Sequence, residues 1–280
     1  MQTPLRESVI AANVEVHSKM ANTYNSNEPH FRPENQAKVR RKLERLRSVS
    51  GPRLLDLGCG TGFVINLARD LFDEIDGVDV TQAMLDLVDR SSGNITLHNC
   101  AVESLPFPDA SFDAVSAYAF IHHVLDYKAV LAEAFRVLKP GGRMYIDLEP
   151  NRLFWQAMVD LERRPGHEVA AYSEIVKRDI DSVLHTDERV EGEFGISSDT
   201  FNTAEYTKSI LGGIDPHEFA STCLTLGARA CEVRYEWYLG QGAIMHGKSF
   251  QVAANVEDYL RQALPLSASF FKYLEFNVTR

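Results

Sequence analysis

Three glycines at alternating positions, Gly58, Gly60 and Gly62, directly follow a short apolar run in this chain. The run predicts a buried strand over Arg53–Leu57, and the residues after the glycines predict a helix over Phe63–Leu71. Glycine has no Cβ atom, so the backbone can bend sharply here and can approach a ligand closely. The N-terminus of the helix adds unpaired N–H groups that can bind a polar ligand. The stretch is therefore typical of a nucleotide-binding unit in which a glycine turn and a helix connect two parallel strands.

The residues after the last glycine separate three classes of nucleotide-binding turn. A phosphate-binding loop requires Lys followed by Ser or Thr, but Phe63 and Val64 occupy those positions. The dinucleotide fingerprint G-x-G-x-x-G requires a third glycine where this chain has Phe63. The run from Asp56 to Gly62, with the pattern D-x-G-x-G-x-G, instead resembles the first motif of the class I S-adenosylmethionine-dependent methyltransferases.

A carboxylate follows the glycine turn at the expected distance. The second strand is predicted over Glu74–Val80, and Asp79 lies about twenty residues after the glycines, where a strand-end acid binds ribose hydroxyls in nucleotide-binding folds. The alternative role is to cap the helix that begins near Gln82, for which Thr81 is better suited. We therefore predict that Asp79 binds the ribose.

Two further segments resemble the same family. The segment 100–109 resembles the family's stretch around the sequence L-P-F-P-D, in which a carboxylate or backbone groups contact the adenine amine. Ala101 replaces the usual aspartate, so the resemblance assigns that contact to the backbone of Ala101 and Val102, or to Glu103. The segment 136–143, R-V-L-K-P-G-G-R, closely resembles small-molecule methyltransferases and precedes a fifth strand predicted over Arg143–Leu148.

The resemblance implies that S-adenosylmethionine is the cofactor. Within the family, the chain resembles the methyltransferases of the ubiquinone- and menaquinone-biosynthesis type. It implies that the glycine loop holds the amino-acid end of the cofactor and that Asp56 lies near its ammonium. Tyr24, in the segment A-x-x-Y, is either a lid residue over the cofactor or a tyrosine packed on a loop, and Met84 packs either on the adenine or in the core. The predicted cofactor-binding residues are Tyr24, Asp56, Gly58, Cys59, Gly60, Gly62, Asp79, Val80, Met84, Ala101, Val102 and Tyr118.

Two histidines follow the predicted fourth strand, Ser111–Tyr118. Because open α/β sheets bind ligands at the carboxyl ends of their strands, His122 and His123 are expected to face the ligand crevice. A neutral histidine can accept a proton from an acceptor hydroxyl, since its pKa lies near neutral pH. We name both as candidate catalytic residues, with helix capping or a backbone hydrogen bond as the alternative role.

The order of the predicted elements indicates an α/β, Rossmann-like fold with a seven-stranded, mostly parallel sheet flanked by helices, and family resemblance implies an antiparallel last strand. Strands are also predicted over Ile95–Asn99, Cys231–Leu239 and Phe270–Val278. Before the core, a helix over Pro4–Met20 is followed by a predicted loop at 22–27. After strand five we predict helices over Asn151–Arg164 and Glu168–His185, then a polar, glycine-bearing stretch at 186–203 before another helix that starts at 215–217. The predicted divisions are a helical cap (1–50), a cofactor-binding core (51–150), a helical lid or acceptor insertion (151–213) and the end of the core sheet with a short insertion (214–280).

Composition restricts the partners. The net charge of −10 disfavours nucleic acid and anionic membranes, because both require clustered Lys and Arg. One basic helix beginning at Pro33 is the exception, and its apolar spacing indicates a solvated outer face. Four cysteines without C-x-x-C spacing indicate reduced thiols, and the N-terminal residues do not resemble a signal peptide, which predicts a cytoplasmic protein without membrane insertion.

Several scattered side chains raise the question of a metal site. None of them shows a tight ligand spacing such as H-x-x-x-H, and isolated surface histidines are the commoner case. We therefore predict no metal. The side chains concerned are His167, Asp181, His185, Asp187 and His217.

These features predict transfer of a methyl group from S-adenosylmethionine to an O, N or C atom of a small organic metabolite. The sulfonium is already activated, so the enzyme would contribute mainly alignment and exclusion of water. Two alternatives stay open: a non-catalytic module that binds S-adenosylmethionine or S-adenosylhomocysteine, and an NAD(P)-dependent oxidoreductase on the same type of sheet. The sequence leaves the oligomeric state and the identity of the acceptor undetermined.

Overall fold

The strand that precedes the glycine turn lies inside a seven-stranded sheet in the computed structural model, which describes residues 2–164 and 173–280. The strand order is β3-β2-β1-β4-β5-β7-β6. The first five strands pair in parallel, whereas β7 is antiparallel to both of its neighbours. The predicted Rossmann-like sheet is therefore confirmed, including its antiparallel last strand. The strands are β1 (Arg53–Leu57), β2 (Glu74–Asp79), β3 (Ile95–Asn99), β4 (Phe112–Tyr118), β5 (Leu138–Pro150), β6 (Ala230–Tyr238) and β7 (Phe271–Thr279).

The register of the central strands brings their carboxyl ends to one edge. Asp56 of β1 pairs with Gly77 of β2 and with Ser116 of β4. Leu55 and Leu57 are at most 2% exposed, as expected for a strand covered on both faces. The polar residues that end these strands consequently lie side by side, which forms the crevice described below.

Helices cover both faces of the sheet. One apolar cluster joins α5 and α10 to β4, β5, β6 and β7, and a second joins α2 and α3 to β1 and β2. No helix of the described ranges is long and apolar enough to cross a membrane. The helices are α1 (Gln2–Asn27), α2 (Pro33–Ser48), α3 (Phe63–Ala68), α4 (Gln82–Leu85), α5 (Tyr127–Val137), α6 (Arg152–Glu162), α7 (Glu174–Leu184), α8 (Thr186–Phe194), α9 (Ser198–Ala204), α10 (Pro216–Thr225), α11 (Gln241–Gly247) and α12 (Phe250–Gln262).

The N-terminal helix is longer than predicted. The polar segment 22–27 was expected to be a loop, but α1 continues through it to Asn27. Most of these polar side chains point into solvent, and the Glu28 N–H donates to the Tyr24 carbonyl at 3.0 Å. Polar composition does not end a helix whose polar residues lie on its exposed face.

The polar stretch 186–203, for which no helix was predicted from the sequence, contains α8 and α9. Gly195, with φ of 63°, follows α8 in the left-handed conformation that commonly ends helices. The Ser197 hydroxyl then accepts the Thr200 N–H at 3.1 Å and caps α9. The glycine and the serine thus separate two helices. The predicted helix over Glu168–His185 begins outside the described residues, and its described part is α7.

The basic helix α2 is not a fully solvated face, contrary to our interpretation. The Lys42 ammonium lies 2.8 Å from Asp147 Oδ2 and 2.5 Å from Glu275 Oε2. It also approaches Glu236, which forms a further ion pair with Lys38. The three carboxylates are buried on the sheet, so α2 supplies the charge that compensates them.

Candidate active site

A cleft opens at the carboxyl edge of the sheet, where β1, β2 and β4 end. Ten of the twelve predicted cofactor-binding residues line it, and Gly62 and Ala101 do not. The cleft therefore brings together residues that are separated by almost one hundred positions in the chain. The lining residues predicted from the sequence are Tyr24, Asp56, Gly58, Cys59, Gly60, Asp79, Val80, Met84, Val102 and Tyr118.

The glycines of the turn have different structural roles. A Cβ atom on Gly58 would lie 2.0 Å from a ring carbon of Phe120, so this position requires glycine for packing as well as for its φ of 62°. A Cβ atom on Gly60 would meet only Met84, at 3.7 Å, which leaves the cleft side of the loop open to a ligand. Gly62, at φ of 84°, precedes α3, and its N–H donates to the Cys59 carbonyl at 2.8 Å. Gly62 thus shapes the turn from behind the cleft.

Asp79 holds the glycine loop from the end of β2. Its Oδ2 accepts the Gly60 N–H at 2.9 Å, and its Oδ1 accepts the Thr81 N–H at 2.8 Å. Each carboxylate oxygen can accept a further hydrogen bond. The position is compatible with the predicted ribose contact, and the loop contact is a second role that the sequence did not indicate.

Asp56 is a buried acid on the floor of the cleft. Its Oδ1 accepts the Ser116 hydroxyl at 2.7 Å. Burial raises the pKa of Asp56 to about 7; the hydrogen bond from Ser116 opposes this rise and the nearby charge of Asp79 adds to it. Asp56 therefore exchanges its proton near neutral pH, and a cation placed beside it would favour the charged form.

The predicted adenine side is formed by Val102 and Glu103. Val102 is buried and lines the cleft. Glu103 also lines it, and its carboxylate pairs with the Arg6 guanidinium at 3.3 Å. This pair joins the cleft wall to α1, an element whose contribution the sequence did not reveal.

Helix α1 covers the mouth of the cleft. Val9, Ile10, Asn13 and His17 line the cleft from α1. The Asn13 side-chain amide donates to the carbonyls of His123 and Ala204, both at 3.1 Å. These residues were not predicted from the sequence, since a helical pattern does not show which helix face meets a distant part of the chain.

Tyr24, near the end of α1, lies among aromatic rings. The rings of His17, His30 and Phe31 have centroids 6.0–6.3 Å from its own. Burial raises the pKa of Tyr24 well above its usual value, so the phenol stays protonated. Its place on the last turn of the covering helix agrees with the lid role better than with a loop tyrosine.

His122 is held by a buried carboxylate. Glu149 accepts the N–H groups of Phe120, Ile121 and His122 at 2.9–3.1 Å and also bonds His122 Nδ1 at 2.8 Å. These bonds place the Nδ1 proton on His122, toward Glu149. Nε2 of His122 lies 3.4 Å from Glu205 Oε2. His122 does not line the cofactor cleft and instead faces a second cavity.

His123 lines both the cleft and the second cavity. Its Nδ1 lies 3.1 Å from the Ala204 carbonyl, so this nitrogen carries the proton and Nε2 has the free lone pair. Burial lowers the pKa of His123 well below its usual value. A neutral imidazole with an available Nε2 can accept a proton or a hydrogen bond from a bound molecule.

His122, His123 and Glu205 also place potential metal-binding atoms within 4.8 Å of one another. The Lys208 ammonium, however, lies 2.6 Å from Glu205 Oε2. Burial alone would raise the pKa of Glu205, but Lys208 and the two histidines lower it below its usual value. Lys208 thus already supplies a counter-charge to Glu205. Of the side chains considered from the sequence, His185 pairs with Glu162 at 2.7 Å, and His167 lies outside the described residues.

The second cavity adjoins the cofactor cleft beyond the end of β4. The two share His17, Tyr24, His30, Ala119 and His123 as lining residues. The second cavity extends between the end of α1, helices α8 and α9, and the start of β7. Ala119 has a φ of 51°, and its N–H donates to the Asp147 carbonyl at 2.9 Å. A non-glycine residue in this conformation at the boundary of two cavities is typical of a functional site.

Comparisons with known proteins agree with this geometry. Residues 55–146 match the family described as a methyltransferase domain. A probable S-adenosylmethionine-dependent methyltransferase of Mycolicibacterium smegmatis is 31% identical over 118 residues, which cover 42% of this chain and 46% of the relative. A ubiquinone/menaquinone biosynthesis C-methyltransferase of Geobacter sulfurreducens is 38% identical over 116 residues, 38% of this chain and 45% of the relative. The matched segments thus span about half the length of these relatives.

A solved structure extends the likeness in fold to the whole chain. Phosphoethanolamine N-methyltransferase 2 of Haemonchus contortus, in complex with phosphomonomethylethanolamine and S-adenosylhomocysteine, has a TM-score of 0.57 at 17% identity, and the alignment covers 99% of this chain and 60% of that one. The strand order, the glycine turn with its two acids, and the matched family point to the same conclusion. Over residues 55–146 the chain is thus similar to the S-adenosylmethionine-dependent methyltransferases.

Proposed function

We propose that this protein transfers a methyl group from S-adenosylmethionine to an O, N or C atom of a small organic metabolite. The observation that carries the proposal is the second cavity, which shares His17, Tyr24 and His123 with the cofactor cleft. A donor in the first space and an acceptor in the second would meet at this boundary. A module that only binds the cofactor has no need of the second space.

The cleft has the chemistry that the donor requires. Asp56 and Asp79 offer carboxylates to an ammonium and to ribose hydroxyls, and the open face of Gly60 allows close approach of the ligand. Met84 and Val102 are buried apolar side chains that also line the cleft, so they suit the adenine. S-adenosylmethionine would supply an activated methyl group when bound.

The residues of the chain would align the acceptor and exclude water. Formation of the new bond to the methyl carbon breaks the carbon–sulfur bond, and a protonated acceptor must lose its proton. His123 is the better candidate for receiving that proton, because it lies at the boundary and presents Nε2. His122 would position the adjacent segment through Glu149. Helix α1 would keep solvent from the site.

A small acceptor suits the dimensions and the charge of the protein. The second cavity lies between α1, α8 and α9. The net charge of −10 disfavours a nucleic acid as the acceptor. The related enzyme of Geobacter acts in ubiquinone and menaquinone biosynthesis, according to its name. The cytoplasmic location stays a prediction from the cysteines.

Titration calorimetry with three ligands tests the cofactor. We expect S-adenosylmethionine and S-adenosylhomocysteine to bind and NADH not to bind. Asp79→Ala should weaken binding of S-adenosylmethionine and of S-adenosylhomocysteine at least about tenfold. The substitution removes the acceptor for the ribose hydroxyls and leaves the Gly60 N–H without its acceptor. Asp86→Ala, on the next helix, removes an exposed acid and should change nothing. Tight binding of NADH alone would refute the proposal.

Turnover separates the enzyme from a binding module. The protein would be incubated with methyl-labelled S-adenosylmethionine and a library of small metabolites bearing hydroxyl, amine and activated carbon nucleophiles. Label transferred to a library member establishes the enzyme and identifies the atom methylated. Binding of the donor with no transfer across the library would favour the module.

A further inference from the structure

We infer that the acceptor carries an anionic group, a carboxylate or a phosphate, that Lys272 and Arg189 bind in the second cavity. This inference rests on the proposed function and narrows its acceptor to organic anions. It begins from two cations that line the cavity and that form no ion pair with any residue in 2–164 or 173–280.

Lys272 lies near the start of β7, at the edge of the sheet that faces the insertion. Its ammonium is 3.5 Å from the Ser182 hydroxyl, and it has no ion pair with any residue in 2–164 or 173–280. Burial lowers the pKa of Lys272, and the more distant charge of Asp179 opposes this shift. A bound anion would supply the missing partner.

Arg189 reaches the same cavity from the opposite side, on α8. Within the part of the chain that the structure describes, its guanidinium forms neither a hydrogen bond nor an ion pair. Its charge also lowers the pKa of Lys272, so the two cations repel each other across the space. Two unpaired cations held near each other cost free energy unless an anion lies between them.

Most carboxylates around the cavity are already engaged. Glu205 pairs with Lys208 at 2.6 Å. Asp179 accepts the Gly240 N–H at 2.8 Å, and Glu193 accepts the Asn27 amide at 3.4 Å. The remaining acid, Glu28, has its pKa raised, by burial above all, which disfavours its charged form. Among the described residues, Lys272 and Arg189 therefore lack an ion-pair partner; Asp179 acts on Lys272, and Arg189 on Glu28, only from beyond ion-pair distance.

Aromatic side chains form the rest of the wall. Trp155 and Phe201 are buried and line the cavity, and Tyr273 lies beside Lys272 with its ring 6.1 Å from that of Trp155. These surfaces suit an apolar molecular body, while the cations suit its charged group. The acceptor predicted from this combination has an apolar body and an anionic end.

Two fluorescent dyes of similar shape test the inference. Anilinonaphthalene sulfonate is anionic, and N-phenyl-1-naphthylamine is its neutral counterpart. Both would be titrated with saturating S-adenosylhomocysteine, which occupies the cofactor cleft. The wild type should bind the anionic dye at least about fivefold more tightly than the neutral dye, with a preference that declines as salt is added. Equal affinity for the two dyes would overturn the inference.

Substitutions of Lys272 and Arg189 test whether these two cations cause the preference for the anionic dye. Lys272→Met should weaken binding of the anionic dye at least about fivefold and change binding of the neutral dye by less than about twofold. Lys272→Arg should keep the preference for the anionic dye. Arg189→Met, at an exposed position, provides the same test with little risk to folding. Lys177→Met, on the outer face of α7 and paired with Glu174, is the matched control and should have no effect. If the Lys272 and Arg189 variants lose affinity for both dyes equally, the inference is contradicted.

The remaining measurements separate this inference from the proposed function. Calorimetry with S-adenosylhomocysteine is carried out on every variant. Failure of the wild type to bind it refutes the methyltransferase proposal, whereas normal binding together with no charge preference refutes only the anionic acceptor. Competition by benzoate and by phenyl phosphate, against neutral anisole, then shows whether the site favours a carboxylate or a phosphate. Displacement by anisole as effective as by either anion also counts against the inference.

Discussion

Asp56 shows how strongly the position of a residue in the fold determines its chemistry. An aspartate in solution is ionised at neutral pH, but burial at the end of β1 raises the pKa of this one to about 7. The group faces the cleft in which the cofactor's ammonium is proposed to lie. The protonation of Asp56 should therefore be linked to cofactor binding.

The sign of this linkage follows from which state favours the charge. In the free protein, burial disfavours the carboxylate, whereas a bound ammonium favours it, so binding releases a proton below pH 7. Affinity for S-adenosylhomocysteine should consequently rise about fivefold from pH 6 to pH 7, as the ionised fraction of Asp56 grows. Calorimetry at the two pH values measures the change.

Asp56→Asn is the control for this prediction. The amide does not titrate, so the affinity of the variant should be weaker and nearly independent of pH between 6 and 7. The same pH dependence in the variant would assign the titration to another group.

Some residues of the candidate site could be predicted from the sequence, and others could not. Asp56 and Asp79 were readable because their distances from the glycine turn are fixed within one βαβ unit. Asn13, Glu205 and Lys272 were not, since they reach the site through contacts between distant segments that no local pattern encodes. The two histidines were located correctly at the end of β4, but only the structure distinguishes His123 at the boundary from His122 against Glu149.

Among the elements, α1 has the largest influence on the site. It lines the cofactor cleft from above and contacts α9 through the Asn13 amide. Asn13 is buried and bonds three carbonyls, those of Val9, His123 and Ala204. This side chain joins the covering helix both to the β4 edge and to the insertion.

Asn13→Ala should loosen α1 and speed the release of S-adenosylhomocysteine. The change removes the Asn13 donor from the His123 carbonyl and from the Ala204 carbonyl, which keeps only His123 Nδ1, at a cost of roughly 1–3 kcal/mol. Stopped-flow dissociation and hydrogen exchange, followed over the described residues including 5–24 and 198–204, provide the measurements. We expect faster release and faster exchange confined to α1 and α9.

Asn22→Ala is the matched control, because Asn22 lies on the exposed face of the same helix. It should leave both rates unchanged. Similar effects of the two substitutions would mean that helix propensity, and not the Asn13 contacts, holds α1 in place.

Among the secondary-structure elements, the strands were predicted more accurately from the sequence than the helices around the site. The bounds of β1 and β3 were correct, since short apolar runs between turn residues define buried strands. The two helices within 186–203 were missed, although Gly195 and Ser197 are ordinary signals for the end of one helix and the start of the next. Their few apolar residues, Val190 and Phe201, are buried against α1, a packing partner that the local pattern does not show.

The whole molecule is held together by a buried ionic cluster as well as by its apolar core. Lys42 of α2 contacts Asp147 of β5 and Glu275 of β7, and Glu236 of β6 completes the cluster with Arg261 of α12. One ammonium thus compensates acids from three strands. The antiparallel end of the sheet consequently depends on a helix that precedes it by about two hundred residues.

Lys42→Met should lower the free energy of unfolding by about 3–5 kcal/mol, because it leaves buried carboxylates without their cation. Chemical denaturation at pH 7 measures the loss. The loss should shrink as the pH falls, since protonation of the carboxylates removes the uncompensated charge.

Lys139→Met tests whether any lost lysine pair has this effect. Lys139 pairs with Asp113 at 2.7 Å, but its side chain is 41% exposed, so the cost should stay below about 1 kcal/mol. Comparable losses in the two variants would show that burial of the acids is not what makes Lys42 important.

The helix across the mouth of the cleft has a consequence for the timing of each reaction cycle. The helix contributes Val9, Ile10, Asn13 and His17 to the lining of the cofactor cleft, so we expect the exchange of spent for fresh donor to require its movement. The interval between cycles then depends on how often helix α1 undocks. This rate is a property of the protein and does not vary with the acceptor supplied. Acceptors of very different reactivity would in that case be consumed at similar maximal rates.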